Sequence, residues 1–204
     1  EFKAIVKICE RLEIINVINI PSSISPEIVS EYMNTYPGAP PANFSIPEDV
    51  LWSEIWENFI NTIKDCVEIV ETSGMKLAIE ACPCSVVSNS DSFLRLANEV
   101  GSDSLGMNLD TAHLFVQKEP LEIVVEKLGD RLFGTHICDN DGCNDYHWPP
   151  GKGKIKWKGV LRSLRKIGYE GFLDIEINQV DDPDASYLEG KEYLEKFLKE
   201  LNAV

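Results

Sequence analysis

Apolar residues recur along the chain in two alternating patterns, one with the spacing of an amphipathic helix and one in short continuous runs. Helical spacing predicts helices over residues 1–12, 45–74, 90–101, 120–129 and 157–168 and around 194–201. The continuous runs predict five strands: EIINVINI (13–20), MKLAIEAC (75–82), SLGMNLD (104–110), LFGTHIC (132–138) and FLDIEIN (172–178). Strands that are apolar on both faces belong to a parallel sheet covered by helices. The alternation therefore predicts an α/β fold.

Polar residues at two helix starts match capping patterns. Ser45 and Glu48 have the spacing of a capping box with Pro47 between them, and the helix that follows would end at Gly74. Ser90 stands directly before the apolar stripe of the next helix. We therefore predict that Ser45 and Ser90 cap these two helices.

The length of the chain and its net charge limit the classes of function that are possible. A chain of 204 residues can bury one sizeable core, and in the absence of a linker or an internal repeat we predict a single domain over residues 1–204. The sequence has 19 Lys and Arg against 34 Asp and Glu, and the resulting net charge of −15 repels a phosphate backbone and an anionic membrane surface. Nucleic acid and membrane are therefore disfavoured partners, whereas a homo-oligomer stays open.

Targeting signals and cysteines bear on the compartment. No apolar run approaches the ~20 residues that span a bilayer, and the N-terminal residues lack the layout of a secretory signal. The pairs Cys82 and Cys84, and Cys138 and Cys143, could hold zinc, but neither has the C-x2-C spacing typical of such sites. A chain with this much core has little need of disulfides. We therefore expect a soluble cytoplasmic protein.

Four consecutive predicted strands end in a residue that can bind a cation. These residues are Glu80, Asp110, His136 and Glu176. In parallel α/β folds the loops at the carboxyl ends of the strands build the site, so we expect the four side chains to meet. Carboxylate and imidazole ligands suit a divalent ion such as zinc, manganese, cobalt, iron or magnesium, and four of them leave positions open for substrate oxygens. The sequence therefore predicts a catalytic metal centre.

Each of these residues also has a plain structural alternative. A glutamate at a strand end often forms a surface ion pair, and a histidine beside a strand is often only a hydrogen-bonded part of the fold. All three histidines of the chain, His113, His136 and His147, lie in this region and outside the predicted helices. The irregular stretch 139–156, with its Gly, Asn, Asp and Pro residues, is typical of a functional loop. This clustering favours the metal centre.

Five stretches of the chain carry a family resemblance. They are IE (79–80), LDTAH (109–113), THICDN (135–140), DYHWPPGKGKIKW (145–157) and GYEGFLDIEI (168–177). In order and spacing they resemble the sugar phosphate isomerase/epimerase family of xylose isomerase-like TIM barrels, which also includes endonuclease IV. The resemblance is strongest over residues 75–180 and implies a (β/α)8 barrel. Such a barrel normally needs ~250 residues, so we expect this chain to represent its C-terminal portion without the N-terminal strands.

The resemblance also implies a role for each residue of the predicted metal centre. The family's metal ligands fall on Glu80, Asp110, His136 and Glu176. Two of them, Glu80 and Glu176, would act as the catalytic groups that remove and return a substrate proton. His113 matches a histidine that contacts the substrate in the isomerases and epimerases, or a further metal in the nuclease.

Four loop positions add to the comparison with the family. Asp145 and His147 match a pair that helps hold the additional metal in the nuclease branch; alternatively, Asp145 only orders the neighbouring histidine. We count His147 and Lys152 among the substrate-binding candidates, although the alternating lysines that begin at Lys152 could equally form a solvated edge. Gly142 stands where the ketose 3-epimerases carry an arginine, which argues against a close ketose 3-epimerase.

The leading hypothesis is a divalent-metal-dependent isomerase or epimerase of a small carbohydrate, meaning a sugar or sugar-phosphate-like hydroxy-carbonyl compound. Proton abstraction beside the carbonyl would give an enediolate, and an inosose or dehydroshikimate-type dehydratase shares this first step. An endonuclease IV-like phosphodiesterase is the second class, which Asp145 and His147 favour and the net charge opposes. A metal-binding protein without catalysis is the third.

Overall fold

Within the described residues, five parallel strands form one sheet whose spatial order follows the order of the chain. They are β1 (Val17–Pro21), β2 (Lys76–Glu80), β3 (Leu105–Asp110), β4 (Leu132–Ile137) and β5 (Asp174–Ile175). All four neighbouring pairs are parallel. The computed structural model that gives these elements describes residues 1–13, 17–22, 47–178 and 180–202. The predicted α/β class and the parallel order of the strands are confirmed.

Helices connect the strands and cover the sheet. In the described residues they are α1 (Phe2–Leu12), α2 (Trp52–Thr72), α3 (Ser90–Val100), α4 (Thr111–Val116), α5 (Leu121–Leu128), α6 (Trp157–Lys166) and α7 (Pro183–Asn202). A short 3-10 turn, Gly129–Arg131, joins α5 to β4. Alternate residues of β2 and β3, among them Leu77, Ile79, Leu105 and Met107, are fully buried in the core. Among the helices in these ranges, none combines the length and the apolarity that a bilayer crossing requires.

Three elements differ from the sequence prediction. β5 has only two residues, Asp174 and Ile175, and within the described part of the chain it pairs with β4 alone. α7 begins at Pro183, well before residue 194, and Asp182 accepts a hydrogen bond from Ala185 N (3.0 Å) in its first turn. α4 was not predicted, because its six residues are too short to show a helical period, and it carries His113.

The helix starts also differ from the predicted caps. Asn89 caps α3: its side chain accepts from Ser92 N (2.8 Å) while Ser92 Oγ accepts from Asn89 N (3.0 Å). The prediction that Ser90 is the cap is wrong, because Asn89 caps equally well and has a partner three residues on. Ser90 instead donates from N and Oγ to Glu119 (2.8 and 2.7 Å). Ser45 and residues 14–16 of the first predicted strand lie outside the described residues. The predicted start of the second helix at Ser45 is nevertheless wrong, because α2 begins at Trp52 after Leu51, which forms no side-chain cap.

The predicted site lies on one face of the sheet, and a β-bulge determines which residue of β4 points to that face. Asp110 pairs in register with His136, and Asn108 pairs with Gly134, so these residues share a face. The register shifts between Met107 and Asn108, where β4 contains one extra residue, Phe133. Without this bulge, Thr135 would stand opposite Asp110 and the imidazole would point to the opposite face.

Candidate metal and substrate site

The four predicted ligands come together at the carboxyl end of the sheet. One ligand atom from each of Glu80, Asp110, His136 and Glu176 lies within 4.8 Å of the others. We call these four residues the strand-end group. Three of them are the last residues of β2 and β3 and the fifth residue of β4, and Glu176 directly follows β5. Parallel pairing therefore brings the side chains together, because strand ends in such a sheet share one edge.

The carboxylates of the strand-end group surround one ring nitrogen. His136 Nδ1 lies 2.6 Å from Glu80 Oε1, 2.9 Å from Glu176 Oε2 and 4.0 Å from Asp110 Oδ2. This nitrogen carries at most one hydrogen, and its hydrogen bond goes to Glu80. Glu176 Oε2 is buried without a hydrogen-bond donor in the described part of the chain. The proton on His136 Nδ1 thus lies among three carboxylates. The same carboxylates could serve as the ligands of a divalent cation.

Electrostatics in the group stabilise the charged forms of its members. Burial opposes the charge of His136, but the adjacent carboxylates of Glu176 and Glu80 outweigh it and raise the pKa of His136 to about 10. The close contact with the His136 imidazolium lowers the pKa of Glu176 to about 2 despite partial burial. The excess negative charge of the group therefore stabilises the positive charge of the His136 imidazolium.

The carboxylate of Asp110 is held in place by two hydrogen-bond donors, one in α4 and one just after β4. As the N-cap of α4 it accepts a hydrogen bond from His113 N at Oδ1 (2.9 Å), and the Cys138 thiol donates to the same oxygen (3.4 Å). The carboxylate is fully buried, and burial raises the pKa of Asp110. The thiol also lies 3.6 Å from Oδ2, the oxygen that faces His136 Nδ1 at 4.0 Å. One residue thus ends β3, begins α4 and faces the site.

Glu80 is supported by the neighbouring strand. Asn19 of β1 donates from Nδ2 to Glu80 Oε2 (3.0 Å), so each carboxylate oxygen has a nitrogen partner. Ser22, just after β1, is fully buried and donates to the Glu80 carbonyl oxygen (2.9 Å). The sequence prediction missed the contributions of Asn19 and Cys138, because both residues act through tertiary contacts that their positions in the chain do not reveal.

A second group of polar side chains lies beside the first. His113 of α4 and two residues from the segment between β4 and α6, Asp145 and His147, also place one ligand atom each within 4.8 Å of one another. We call these three residues the loop group. His113 Nδ1 and Asp145 Oδ2 are 2.8 Å apart, and the rings of His113 and His147 meet edge to face at 4.9 Å between centroids. Although burial opposes it, the Asp110 charge and the Asp145 hydrogen bond raise the pKa of His113 well above its usual value.

His147 connects the two groups. Its Nδ1 lies 3.7 Å from Glu176 Oε2, and its ring is 4% exposed. Neither ring nitrogen has a hydrogen-bond partner within the described residues. A buried imidazole without a partner is costly, and a ligand that hydrogen-bonds or coordinates it would remove that cost. This orphaned ring is the observation that best fits the predicted binding of a small polar molecule here.

The remaining predicted positions lie apart from this cluster. Lys152 pairs with Glu189 of α7 (2.6 Å), and both side chains are about half exposed. All six cysteines are free, and of these only Cys138 stands in a group of potential ligands, with Asp110 and His147. The alternative of a zinc site built from Cys82 and Cys84 therefore has no support in the described part of the chain.

The residues present fit a divalent ion. Three carboxylates and one imidazole are ligands that zinc, manganese, cobalt, iron and magnesium accept, with softer ions favoured by the imidazole. Glu176 Oε2 has no hydrogen-bond donor, and coordination of a cation would satisfy it. Four protein ligands, one of them half exposed on the sheet edge, leave room for a substrate oxygen.

Comparisons with known proteins agree with this architecture. The family model described as "Xylose isomerase-like TIM barrel" matches residues 1–197. Fructoselysine 3-epimerase of Escherichia coli O157:H7 is 31% identical over 170 residues, which are 82% of this chain and 60% of that protein. The chain thus spans less than two thirds of the length of this relative.

Solved structures show the same fold. A D-tagatose 3-epimerase-like protein superimposes with a TM-score of 0.77 at 27% identity, covering 98% of this chain and 68% of that one. The IolI protein, whose structure contains a zinc atom, superimposes with a TM-score of 0.68 at 19% identity, covering 98% of this chain and 66% of that one. The sheet described here is therefore part of a (β/α)8 barrel, and the chain belongs to the xylose isomerase-like TIM barrel family.

Proposed function

We propose that the protein is a divalent-metal-dependent isomerase or epimerase of a sugar or a sugar-phosphate-like hydroxy-carbonyl compound. One observation carries the proposal: the carboxylates of Glu80, Glu176 and Asp110 converge on His136 Nδ1. The fructoselysine 3-epimerase and D-tagatose 3-epimerase-like relatives support the reaction class. Gly142, where ketose 3-epimerases carry an arginine, keeps the reaction subtype and the dehydratase alternative open.

A divalent ion held by the strand-end group would polarise the substrate carbonyl and neutralise negative charge that develops on its oxygens. Glu80 and Glu176 approach from two strands that are separated by β3 and β4. At neutral pH the lowered pKa of Glu176 keeps its carboxylate ionised and able to accept a proton. Removal of a C–H proton by one glutamate and its return by the other would interconvert epimers or isomers through an enediolate.

The loop group would bind and orient the substrate. His113 is held by Asp145 through Nδ1, so its other nitrogen, Nε2, faces the site, 3.9 Å from Asp110 Oδ2. A donor at this position can bind a substrate hydroxyl or carbonyl oxygen. The unpartnered nitrogens of His147 offer a second polar contact. We propose Lys152 as a more distant substrate contact, which requires that it leave Glu189.

Exchange of a substrate proton with solvent tests the proposal. The purified protein, loaded with Mn²⁺ or Zn²⁺, would be incubated in D₂O with ketoses, aldoses, their phosphates and inososes, and deuterium incorporation would be followed by NMR. We expect exchange with at least one compound, and Glu176→Gln should abolish it because an amide cannot accept the proton. Glu170→Gln, a change at an exposed glutamate, is the matched control. If no compound exchanges or Glu176→Gln exchanges normally, the proposed mechanism is wrong.

A metal-dependent phosphodiesterase of the endonuclease IV type is the second candidate. The observation that favours it is the loop group, whose three ligand atoms lie close enough to hold a further ion. The net charge of −15 disfavours a DNA substrate. Cleavage of a duplex with an abasic site, measured in parallel with the exchange screen, separates the two functions.

A further inference from the structure

We infer that Asp139 is a positioning residue that keeps the segment 139–157 closed and thereby holds His147 in the site. The role given to His147 rests on the proposed function. Asp139 itself touches none of the residues in the strand-end group by a hydrogen bond or an ion pair in the described chain, and it acts through the backbone of the loop.

The side chain of Asp139 collects hydrogen bonds from both ends of this segment. It is fully buried, and its Oδ1 accepts from Asn140 N (2.9 Å) and Ile155 N (3.1 Å). Its Oδ2 accepts from Gly151 N (3.0 Å) and from the indole Nε1 of Trp157 (2.8 Å). Within the described residues this carboxylate forms no ion pair. A buried carboxylate is tolerated here because four N–H groups replace its water shell.

The backbone of Asp139 holds the middle of the segment. Asp139 N donates to Trp148 O (2.8 Å), and Trp148 N donates back to Asp139 O (2.9 Å). His147 directly precedes this bridge, and its own carbonyl accepts from Asn178 N (3.1 Å), just beyond β5. The imidazole is therefore held between a bridge to Asp139 and a contact with the chain that carries Glu176.

The loop is folded tightly around the carboxylate. A Cβ added to Gly153 would lie 2.2 Å from Asp139 Oδ1 and 2.3 Å from the Asn140 carbonyl oxygen. Gly151, which donates to Oδ2, has a φ of +92° that other residues rarely adopt. Gly153 is thus required by its close approach to Asp139, whereas Gly151 is required by its positive φ and by the Tyr193 ring, which would lie 2.7 Å from an added Cβ.

An asparagine at position 139 would have the same shape as the aspartate but could not accept all four hydrogen bonds. Each Asp139 oxygen accepts two N–H groups, so either orientation of an amide would place its NH₂ against two donors. Because loss of a hydrogen bond to a buried charged group costs about tenfold or more in a local equilibrium, we expect the segment to open far more often. His147 would then be exposed to solvent.

The test compares Asp139→Asn with Asp141→Asn, a control in the same loop whose carboxylate accepts from Cys143 N and Asn144 N and lies near the surface. The purified proteins would be treated with diethylpyrocarbonate, and modification of each histidine would be followed by mass spectrometry. We expect modification of His147 to be about tenfold faster in Asp139→Asn and unchanged in Asp141→Asn, with N-acetylhistidine added to each reaction as the reference. The indole N–H signal of Trp157 should move upfield in the NMR spectrum of Asp139→Asn alone.

Metal titration completes the test. Titrated with Mn²⁺ alone, Asp139→Asn should bind within about threefold of the wild type, because the strand-end group lies outside the loop. Unchanged protection of His147 in Asp139→Asn would overturn the inference. If this variant does not fold, Trp157→Phe removes one of the four donors, and failure to increase His147 modification would overturn it equally. Neither labelling nor the indole signal depends on turnover, so absence of substrate exchange would count against the proposed function only.

Discussion

The strand-end group and the loop group lie side by side but are built in opposite ways. Strand ends supply the first group, in which three carboxylates surround the nitrogen of one imidazole. A helix and a long loop supply the second, in which one carboxylate pairs with the imidazole of His113 and the His147 ring packs edge to face on that imidazole. The first therefore has excess negative charge that favours a cation, whereas in the second the His147 nitrogens have no partner within the described residues and are free for a polar ligand.

Because of this difference, we expect the rigid sheet to bind the cation and the adaptable loop to bind the substrate. The sheet fixes the strand-end group to its register, so an ion would find its ligands already in place. The loop group depends on the fold of the segment 139–157, whose sequence can vary without disturbing the sheet. We expect cation binding to follow the first group and substrate choice to follow the second.

The largest effect should come from removal of a strand-end carboxylate. Glu80→Gln should lower the affinity for Mn²⁺ more than about 100-fold, because a neutral amide is a weak ligand and leaves less negative charge around the site. Asp145→Asn, the same chemical change in the loop group, should leave affinity within about threefold. Isothermal titration calorimetry measures both. Equal losses in the two variants would show that the division between the groups is false.

Turnover should respond to the loop group without loss of the ion. His113→Asn should lower the rate of substrate exchange about 100-fold, because it removes a positioned donor next to Asp110 while Glu80, His136 and Glu176 stay in place. Metal content measured by atomic absorption should not change. If the loop group holds a second ion, as in the phosphodiesterase alternative, metal stoichiometry should fall in this variant.

Metal affinity should depend on pH through one proton. The pKa of His136 is raised to about 10, so at neutral pH an ion must displace the proton from Nδ1. Below that pKa the deprotonated fraction falls tenfold for each pH unit, so affinity for Zn²⁺ should rise about tenfold per unit between roughly pH 6 and pH 9. Calorimetry in buffers of different ionisation enthalpy should detect release of about one proton per ion. In His136→Gln the slope should disappear, and a slope that persists would assign the proton elsewhere.

The smallest effect should come from replacement of the Cys138 thiol, which donates to Asp110. Cys138→Ala removes a donor to Asp110 Oδ1 and should weaken Mn²⁺ binding about fivefold, because a neutral hydrogen bond contributes modestly and His113 N remains. Cys138→Ser keeps a donor and should bind nearly as well as the wild type. Electron paramagnetic resonance of free Mn²⁺ is sensitive enough for this range. Identical affinity of the alanine and serine variants would show that the thiol only fills space.

The sequence predicted the strand-end group better than the loop group, for a physical reason. A parallel strand displays a continuous apolar run, and the first polar residue after it marks the edge of the sheet, as at Glu80 and Asp110. The predicted α/β class follows from the same pattern, whereas the barrel and the family were implied by the resemblance of the motif stretches, and all three are confirmed. The structure also places the four side chains together, and their role as ligands stays a prediction.

The apolar pattern of the sequence could not predict contacts between residues that are far apart in the chain. The short helix α4, the support of Glu80 by Asn19 and the four bonds to Asp139 join segments whose spacing in the chain carries no period. The cap at Asn89 was missed because two adjacent residues can both cap, and only the hydrogen bonds with Ser92 decide between them.

The amino-acid sequence by itself determined which residues could meet, because strand direction and strand ends are local properties of the apolar runs. Only the tertiary structure decided that His136, and not Thr135, stands beside Asp110. That choice depends on the bulge at Phe133, whose ring occupies the space left by Gly106: a Cβ there would lie 2.2 Å from the ring. Side chains alternate between faces along a strand, so one extra residue exchanges the two faces, and packing between neighbouring strands fixes where that residue is placed.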